Sequence, residues 1–288
     1  MIRHYEGDIG TFDYDDNEFT FANSSMLVYI GEETDGSKIN IPKGILSCAN
    51  MFMGKDYILT PPVIPDGVIS CFSMFHQCTG LTKAPEIPDS VTDCNGMFAL
   101  CMSLTEAPDL PPSLVNCGAM FIGCTHLKKG PSKLPASVTD CSNMFTGCEM
   151  LENAPVLNEG LKDCKNTFSG CASLKEAPDI PSTVKICTHV FSQCRSITKP
   201  PRILNNVLSY CGLFSGCTSM TEAPEIPSKA SKCCGMFEYC ESITEPPVLP
   251  EGLLDARSMF KGCTGLVRKP ELPKSLKKTD EMFEGCNV

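Results

Sequence analysis

The regular recurrence of phenylalanine constrains the fold of this chain more than any other feature of its sequence. Phenylalanine recurs every 23 residues, with one interval of 24, and Met precedes eight of the eleven rings. Cys follows the ring by three residues in every unit but the first, and an aliphatic residue or Met commonly follows it by six. A unit this short cannot bury its own apolar face, so the units must stack on one another. The ring positions are Phe52, Phe75, Phe98, Phe121, Phe145, Phe168, Phe191, Phe214, Phe237, Phe260 and Phe283.

Each unit contains two kinds of local pattern. Short apolar–polar stretches bounded by Pro, Ser, Asp and Gly predict short strands joined by turns. The Cys-x-x-Met-Phe-x-x-Cys stretch has apolar residues at i, i+3, i+4 and i+7, which predicts a short helix or 3-10 turn. Strands that recur once per unit in one direction predict a parallel sheet along the stack. The predicted fold is therefore a repeat solenoid of about ten rungs over residues 39–288.

The repeat resembles the BspA-like (Treponema-type) leucine-rich repeat, Ile-x-Ile-Pro-x-x-Val-x-x-Ile-x-x-x-Ala-Phe-x-x-Cys-x-x-Leu. Residues 41–52 fit this unit with Cys in an Ile position and Met in the Ala position, and the likeness extends over residues 39–286. Ala-Pro or Pro-Pro, as at Ala107-Pro108 and Pro246-Pro247, replaces the family's Ile before the strand, so strand hydrogen bonding should be interrupted there. The resemblance implies a leucine-rich-repeat fold and a bacterial or parasite surface protein used in adhesion and protein binding.

The two ends of the chain differ from the repeat. In residues 1–38, Phe12, Tyr14, Phe19 and Phe21 alternate with polar residues, and residues 26–30 form an apolar run typical of a buried strand. Terminal rungs of a solenoid need a cover, so we expect this segment to be an N-terminal β-rich cap. The last unit stops at Val288 in the middle of a rung. We expect that end to be uncapped, and self-association through it is one alternative for how the chain functions.

Charge and hydropathy limit the partners and the compartment. The net charge of -10 disfavours nucleic acid, which attracts basic surfaces. No apolar run approaches the roughly 20 residues of a membrane-spanning helix, so membrane insertion is not expected. The first residues lack the apolar core of a signal peptide. The compartment stays open between the cell surface or secretion, which the resemblance implies, and the cytoplasm.

The 20 cysteines fall into columns. No Cys-x-x-Cys pair is present, and the histidines near a cysteine (His76, His126 and His189) fall at different phases of the repeat, which argues against a metal site. Stacked cysteines about 4.8 Å apart could form disulfides, but their side chains would point in parallel and each thiol would have two equal partners. We therefore expect free buried thiols that serve in packing. Ten cysteines follow Phe by three residues, eight precede it by four, and Cys211 and Cys234 sit beside that second column.

No catalytic arrangement is recognisable in the sequence. The histidines, His4, His76, His126 and His189, fall at different phases of the repeat and cannot cluster by stacking. Nucleophile elbows, phosphate loops and His-Glu metal motifs are also missing. The sequence therefore predicts that the chain is not an enzyme and has no catalytic residue, cofactor or metal.

The exposed positions that vary from rung to rung are the candidates for partner binding, since core positions hardly change. We predict a non-enzymatic binding module that presents a rigid solenoid face to a protein, in adhesion or host or partner interaction, with a glycan as the alternative ligand. The competing functional class is a structural subunit or decoration protein of a larger assembly. A further alternative is that the exposed variable residues only keep the protein soluble. The candidate residues are Lys83, Glu86, Glu106, Asp109, Lys129, Glu176, Asp179, Lys199, Arg202, Glu222, Glu225, Glu245, Arg268 and Glu271.

Overall fold

The computed structural model describes residues 1–204 and 207–288. Four strands open the chain: β1 (Ile2–Gly7), β2 (Gly10–Asp15), β3 (Phe19–Asn23) and β4 (Met26–Tyr29). β1 pairs antiparallel with β2, and β3 pairs antiparallel with β4. A 3-10 turn, Gly36–Lys38, follows them. The remaining described residues are turns and extended segments joined by isolated bridges.

The repeated phenylalanines form one continuous stack of rings. From Phe52 to Phe283, neighbouring ring centroids lie 5.4 to 6.0 Å apart and neighbouring planes differ by at most 16°. Tyr29 of β4 extends the stack, with its ring centroid 5.3 Å from that of Phe52. Phe19 of β3 then packs edge-on against Tyr29. The chain thus forms eleven stacked rungs, where the sequence predicted about ten, and its aromatic core runs on into residues 1–38.

The short helix predicted around each ring is absent from the described residues of the solenoid. A run of hydrogen-bonded turns takes its place, because the residues two before and two after each ring have positive φ. In the first rung these are Asn50, with φ 57°, and Gly54, with φ 73°. Left-handed residues interrupt a right-handed helix. The apolar spacing correctly indicated the inward side, since Met51 and Phe52 are fully buried.

The turns leave every second amide free to join neighbouring rungs. The amide of Met51 donates to the carbonyl of Cys48 in its own rung, at 3.2 Å, whereas the amide of Phe52 donates to Met74 of the next rung, at 2.9 Å. A helix would use all of these donors within itself. Parallel pairing between rungs is therefore reduced from the predicted short strands to single bridges, such as Ser70 with Asp93. The backbone donors are satisfied by stacking.

The cysteine three residues after each ring does more than fill space. All ten of these thiols donate to the carbonyl of the phenylalanine in the preceding rung, with sulfur–oxygen distances of 2.9 to 3.2 Å. The bond from Cys78 to Phe52 is one example. The 20 cysteines are free thiols, and all are buried except the partly exposed Cys211, Cys234 and Cys286. The prediction of packing alone therefore missed a hydrogen-bonding role.

The ring stack yields a first prediction about stability. Phe168→Ala empties a fully buried site in a central rung and should lower the free energy of unfolding by about 3–5 kcal/mol. Phe72→Ala is the matched control, because Phe72 is 41 % exposed and lies outside the stack; its effect should stay within about 0.5 kcal/mol. Urea unfolding of both variants measures the difference. Equal losses would mean that the stack is not the core.

The buried thiols predict a dependence of stability on alkaline pH. Burial raises the pKa of Cys71, Cys78 and Cys263 to about 12, whereas an unfolded cysteine titrates near about 8.5. Above that pH the unfolded chain loses thiol protons that the folded chain retains. Stability should therefore be complete below about pH 8.5 and fall towards pH 12, by up to about 1.4 kcal/mol per pH unit for each such thiol.

Urea unfolding under reducing conditions, from about pH 8 to about pH 10.5, measures this slope. Removing one titrating group with Cys78→Ala should make the slope shallower, whatever it does to stability at neutral pH. A slope that is identical in the two proteins would contradict the assignment to buried thiols.

Candidate binding face

One extended segment per rung forms a face made of prolines and charged side chains. In the second rung, Leu81 and Ile87 point into the core, while Lys83 and Glu86 are exposed on either side of Pro85. The same order recurs along the solenoid, eight to twelve residues after each ring. We call this surface the proline face and define it by the residues eight to eleven after each stacked ring from Phe52 to Phe260. Glu86 points outward between the buried Pro85 and Ile87, as the alternation of an extended segment requires, and Lys83 is exposed together with Thr82.

Hydrogen bonding across the proline face is interrupted. Single parallel bridges join Glu106 to Lys129, Lys129 to Asn153, and Asn153 to Glu176. Proline has no amide hydrogen to donate to a ladder. The Ala-Pro and Pro-Pro pairs predicted an interruption of strand hydrogen bonding, and only isolated bridges are found on this face. The rungs are held together here mainly by their buried side chains.

The structure places all fourteen candidate residues on this face, in two columns. Lys83, Glu106, Lys129, Glu176, Lys199, Glu222, Glu245 and Arg268 follow the ring by eight residues, and Glu86, Asp109, Asp179, Arg202, Glu225 and Glu271 follow it by eleven. Asp179 is half-buried and the other thirteen are exposed.

Two ion pairs join candidate residues of neighbouring rungs. Arg202 Nη2 lies 2.6 Å from Asp179 Oδ2, and the Arg202 amide donates to Asp179 Oδ1 at 2.8 Å. Burial alone would raise the pKa of Asp179, but the hydrogen bonds from Arg202 outweigh it and lower that pKa. Arg268 Nε lies 2.7 Å from Glu245 Oε2. Exposed pairs of this kind contribute little to stability, so their main effect is to neutralise parts of the face.

Other carboxylates on the face lie outside these ion pairs. Within the described part of the chain, Glu176, Glu222 and Glu225 take part in no ion pair. They follow the ring by eight or eleven residues in the sixth and eighth rungs, on either side of the basic seventh rung that carries Lys199 and Arg202. The face thus alternates in charge, and Glu106 and Asp109 of the third rung are two further exposed carboxylates in no ion pair among the described residues.

Prolines of neighbouring rungs form the walls of shallow clefts. The cleft between the first two rungs has a volume of about 640 Å³, and similar clefts of about 340, 360 and 250 Å³ lie farther along the face. Exposed valines line these clefts at the position that is charged in most rungs: Val63 is 79 % exposed, Val156 68 % and Val248 89 %. The sequence analysis did not single out these valines. They could have been found in the sequence, because an aliphatic residue stands where most rungs have a charged one.

The described residues contain no group of three or more His, Cys, Asp or Glu side chains placed to hold a metal ion. Among the same residues, no helix combines the length and the apolar character needed to cross a bilayer.

Comparison with known proteins decides the family. The model of the BspA type leucine rich repeat region matches residues 48–175 and 162–288, in six copies. The chain belongs to this family. The predicted leucine-rich-repeat fold is therefore confirmed, in a form whose repeat is rich in cysteine. Proteins with leucine-rich repeats generally mediate protein interactions.

Solved structures of other leucine-rich repeat proteins are similar to this chain. The leucine-rich repeat protein of Treponema pallidum is 24 % identical with a TM-score of 0.52, over 64 % of this chain and 90 % of that one. A leucine-rich repeat protein from Eubacterium ventriosum is 17 % identical with a TM-score of 0.48, over 100 % of this chain and 96 % of that one. No curated protein sequence matches the chain.

Proposed function

We propose that this BspA-type repeat protein is a non-enzymatic binding module that presents its proline face to a protein partner, in adhesion or in interaction with a host or neighbouring cell. The observation that carries the proposal is the pairing of a rigid, repetitive core with one face that differs from rung to rung. Core positions repeat and can supply stability only. The charged columns and the valine-lined clefts are the part of the solenoid that can distinguish one partner from another.

The chemistry of the face favours a partner with a basic or amide-rich surface. Glu176, Glu222 and Glu225 form no ion pair within the described residues and are fully available to incoming Lys, Arg or amide groups. Val156 and Val248 offer small apolar contacts next to these rungs. Single exposed apolar residues are ordinary on protein surfaces. Here they recur in one column and within clefts, which favours docking over a merely solubilising role.

The rigidity of the face depends on residues 1–38, which we propose act as an N-terminal cap for the solenoid at 39–288. The amide of Tyr29 donates to the carbonyl of Met51 at 2.9 Å, and its ring covers Phe52. The amide of Leu46 donates to Ile9 at 2.7 Å. These contacts close the first rung with hydrogen bonds and an aromatic ring, as a terminal rung requires.

The second candidate function is that of a structural subunit that stacks through its last rung. In the described residues, Phe283 has a ring neighbour, Phe260, on one face alone and is only partly buried. Sedimentation velocity over a dilution series separates the two functions. A binding module should stay monomeric at every concentration, whereas growth into larger species that Phe283→Glu abolishes would support stacking and contradict the monomeric module.

Reversing the unpaired charges tests the binding face. The triple variant Glu176→Lys, Glu222→Lys, Glu225→Lys should keep its folding stability, because exposed substitutions usually shift it by less than about 0.5 kcal/mol. It should lose the partner, since like charges oppose encounter and complex formation. The measurement compares the proteins that the immobilised wild-type and variant chains retain from an extract of the source cells and their surroundings, with a glycan array beside it.

The matched control reverses charge away from the face. Glu149→Lys with Glu241→Lys changes two exposed turn residues and should retain the same proteins as the wild type. Binding that survives the triple variant and fails in this control would place recognition elsewhere on the solenoid. Retention of glycans instead of proteins would show that the ligand is a carbohydrate.

A further inference from the structure

Two cysteines face outward side by side in the eighth and ninth rungs. Tyr210 occupies the inward cysteine position of the eighth rung and is fully buried, so Cys211 follows it on the outer side. In the ninth rung Cys233 is buried and Cys234 faces outward. The amide of Gly212 donates to the carbonyl of Cys234 at 2.8 Å, which sets the two segments in register.

These two thiols hold equivalent positions in neighbouring rungs and line the same cavity, unlike the buried thiols three residues after each ring. Each of those buried thiols instead donates to a backbone carbonyl of the preceding rung, as Cys240 does to Phe214 at 3.1 Å. Adjacent rungs separated by about 4.8 Å fall within the Cα–Cα window of a disulfide.

A cavity of about 560 Å³ opens beside the pair. It exists because Gly212 and Gly235 occupy the left-handed position of their rungs and place no side chain there. The ring of His189 covers one side, so closely that a Cβ on Gly212 would lie 2.0 Å from its Nδ1. Burial, and then the nearby Lys165, lower the pKa of His189, so that this wall is uncharged at neutral pH.

The remaining walls of the cavity are acidic. The guanidinium of Arg257 is engaged by Asp255, with Nη2 2.8 Å from Oδ2, and this hydrogen bond lowers the pKa of Asp255 to about 2. Glu238, Asp280 and Glu281 line the space, and Glu281 is paired with Lys261 at 2.7 Å. Glu238 and Asp280 take part in no ion pair among the described residues, and Arg257 is engaged by Asp255. Two uncompensated carboxylates therefore face the cavity, and a cationic molecule should enter more readily than an anionic one.

We propose that Cys211 and Cys234 form a thiol–disulfide exchange site for small cationic disulfides. The thiolate of Cys211 attacks one sulfur of the incoming disulfide, its S–S bond breaks, and the first small thiol leaves with a proton. Burial raises the pKa of Cys234 to about 12, so its thiolate is scarce at neutral pH and the second attack is slow and becomes faster as the pH rises. In that step the Cys234 thiolate attacks Cys211 Sγ in the mixed disulfide and releases the second small thiol with the second proton. Two cysteine thiols are oxidised, one small disulfide is reduced to two thiols, and a covalent link joins the eighth and ninth rungs.

The test uses cystamine, a dicationic disulfide, with oxidised glutathione as the anionic comparison. After reaction and unfolding, the wild type should show two thiols fewer than the 20 of the reduced chain, with no cysteamine retained in its intact mass. The reaction should be several-fold faster with cystamine than with oxidised glutathione. Cys234→Ser should stop at a stable mixed disulfide on Cys211. Cys286→Ser, which removes the other partly exposed thiol, should react as the wild type does.

Three results would overturn the proposal. A Cys286→Ser chain that keeps a mixed disulfide would show that Cys234 does not complete the exchange. A loss of two thiols that persists in Cys211→Ser would place the disulfide elsewhere. Faster reaction with oxidised glutathione would refute the cationic preference that the cavity walls assign.

Discussion

The stacking of phenylalanine rings is the interaction on which the other features of this molecule depend. A ring in one rung is buried only when rings lie on both of its faces, so the stack fixes the register of every rung relative to its neighbours. With that register set, alternate amides meet carbonyls of the next rung, and each thiol after a ring meets the carbonyl of the preceding phenylalanine. Cysteine suits this position because it is small and apolar and still donates a hydrogen bond. The same register brings the columns of the proline face into line.

The period of the sequence was enough to predict the solenoid, its inward positions and the exposed columns. It could not separate a helix from a run of turns, since both place residues at i, i+3, i+4 and i+7 on one side. The Gly-Cys pairs at Gly147-Cys148 and Gly170-Cys171 carried the missing signal, because glycine two residues after the ring favours positive φ. The rungs pair in parallel, as predicted, but the pairing is limited to single bridges instead of short strands.

The candidate face was predictable by position but not by its local chemistry. Which charges neutralise one another depends on side-chain contacts between rungs, as between Asp179 and Arg202, and no repeat pattern specifies them. By contrast, the outward placement of Cys211 and Cys234 follows from their position three residues before the ring, next to the inward Tyr210 and Cys233. Proline has two consequences at once: it weakens the backbone ladder on this face and forms the walls of the clefts that a partner would enter.

The coupling of each rung to its immediate neighbours has a mechanical consequence. Ring contacts and hydrogen bonds in the solenoid join residues one rung apart, as between Phe145 and Phe168. Tension applied along the chain would therefore detach one rung at a time instead of breaking the whole structure at once. Each detached rung would release roughly 75 Å of extended chain at about 3.3 Å per residue. A chain built in this way would lengthen stepwise under load, while the rungs still in place would keep presenting their face.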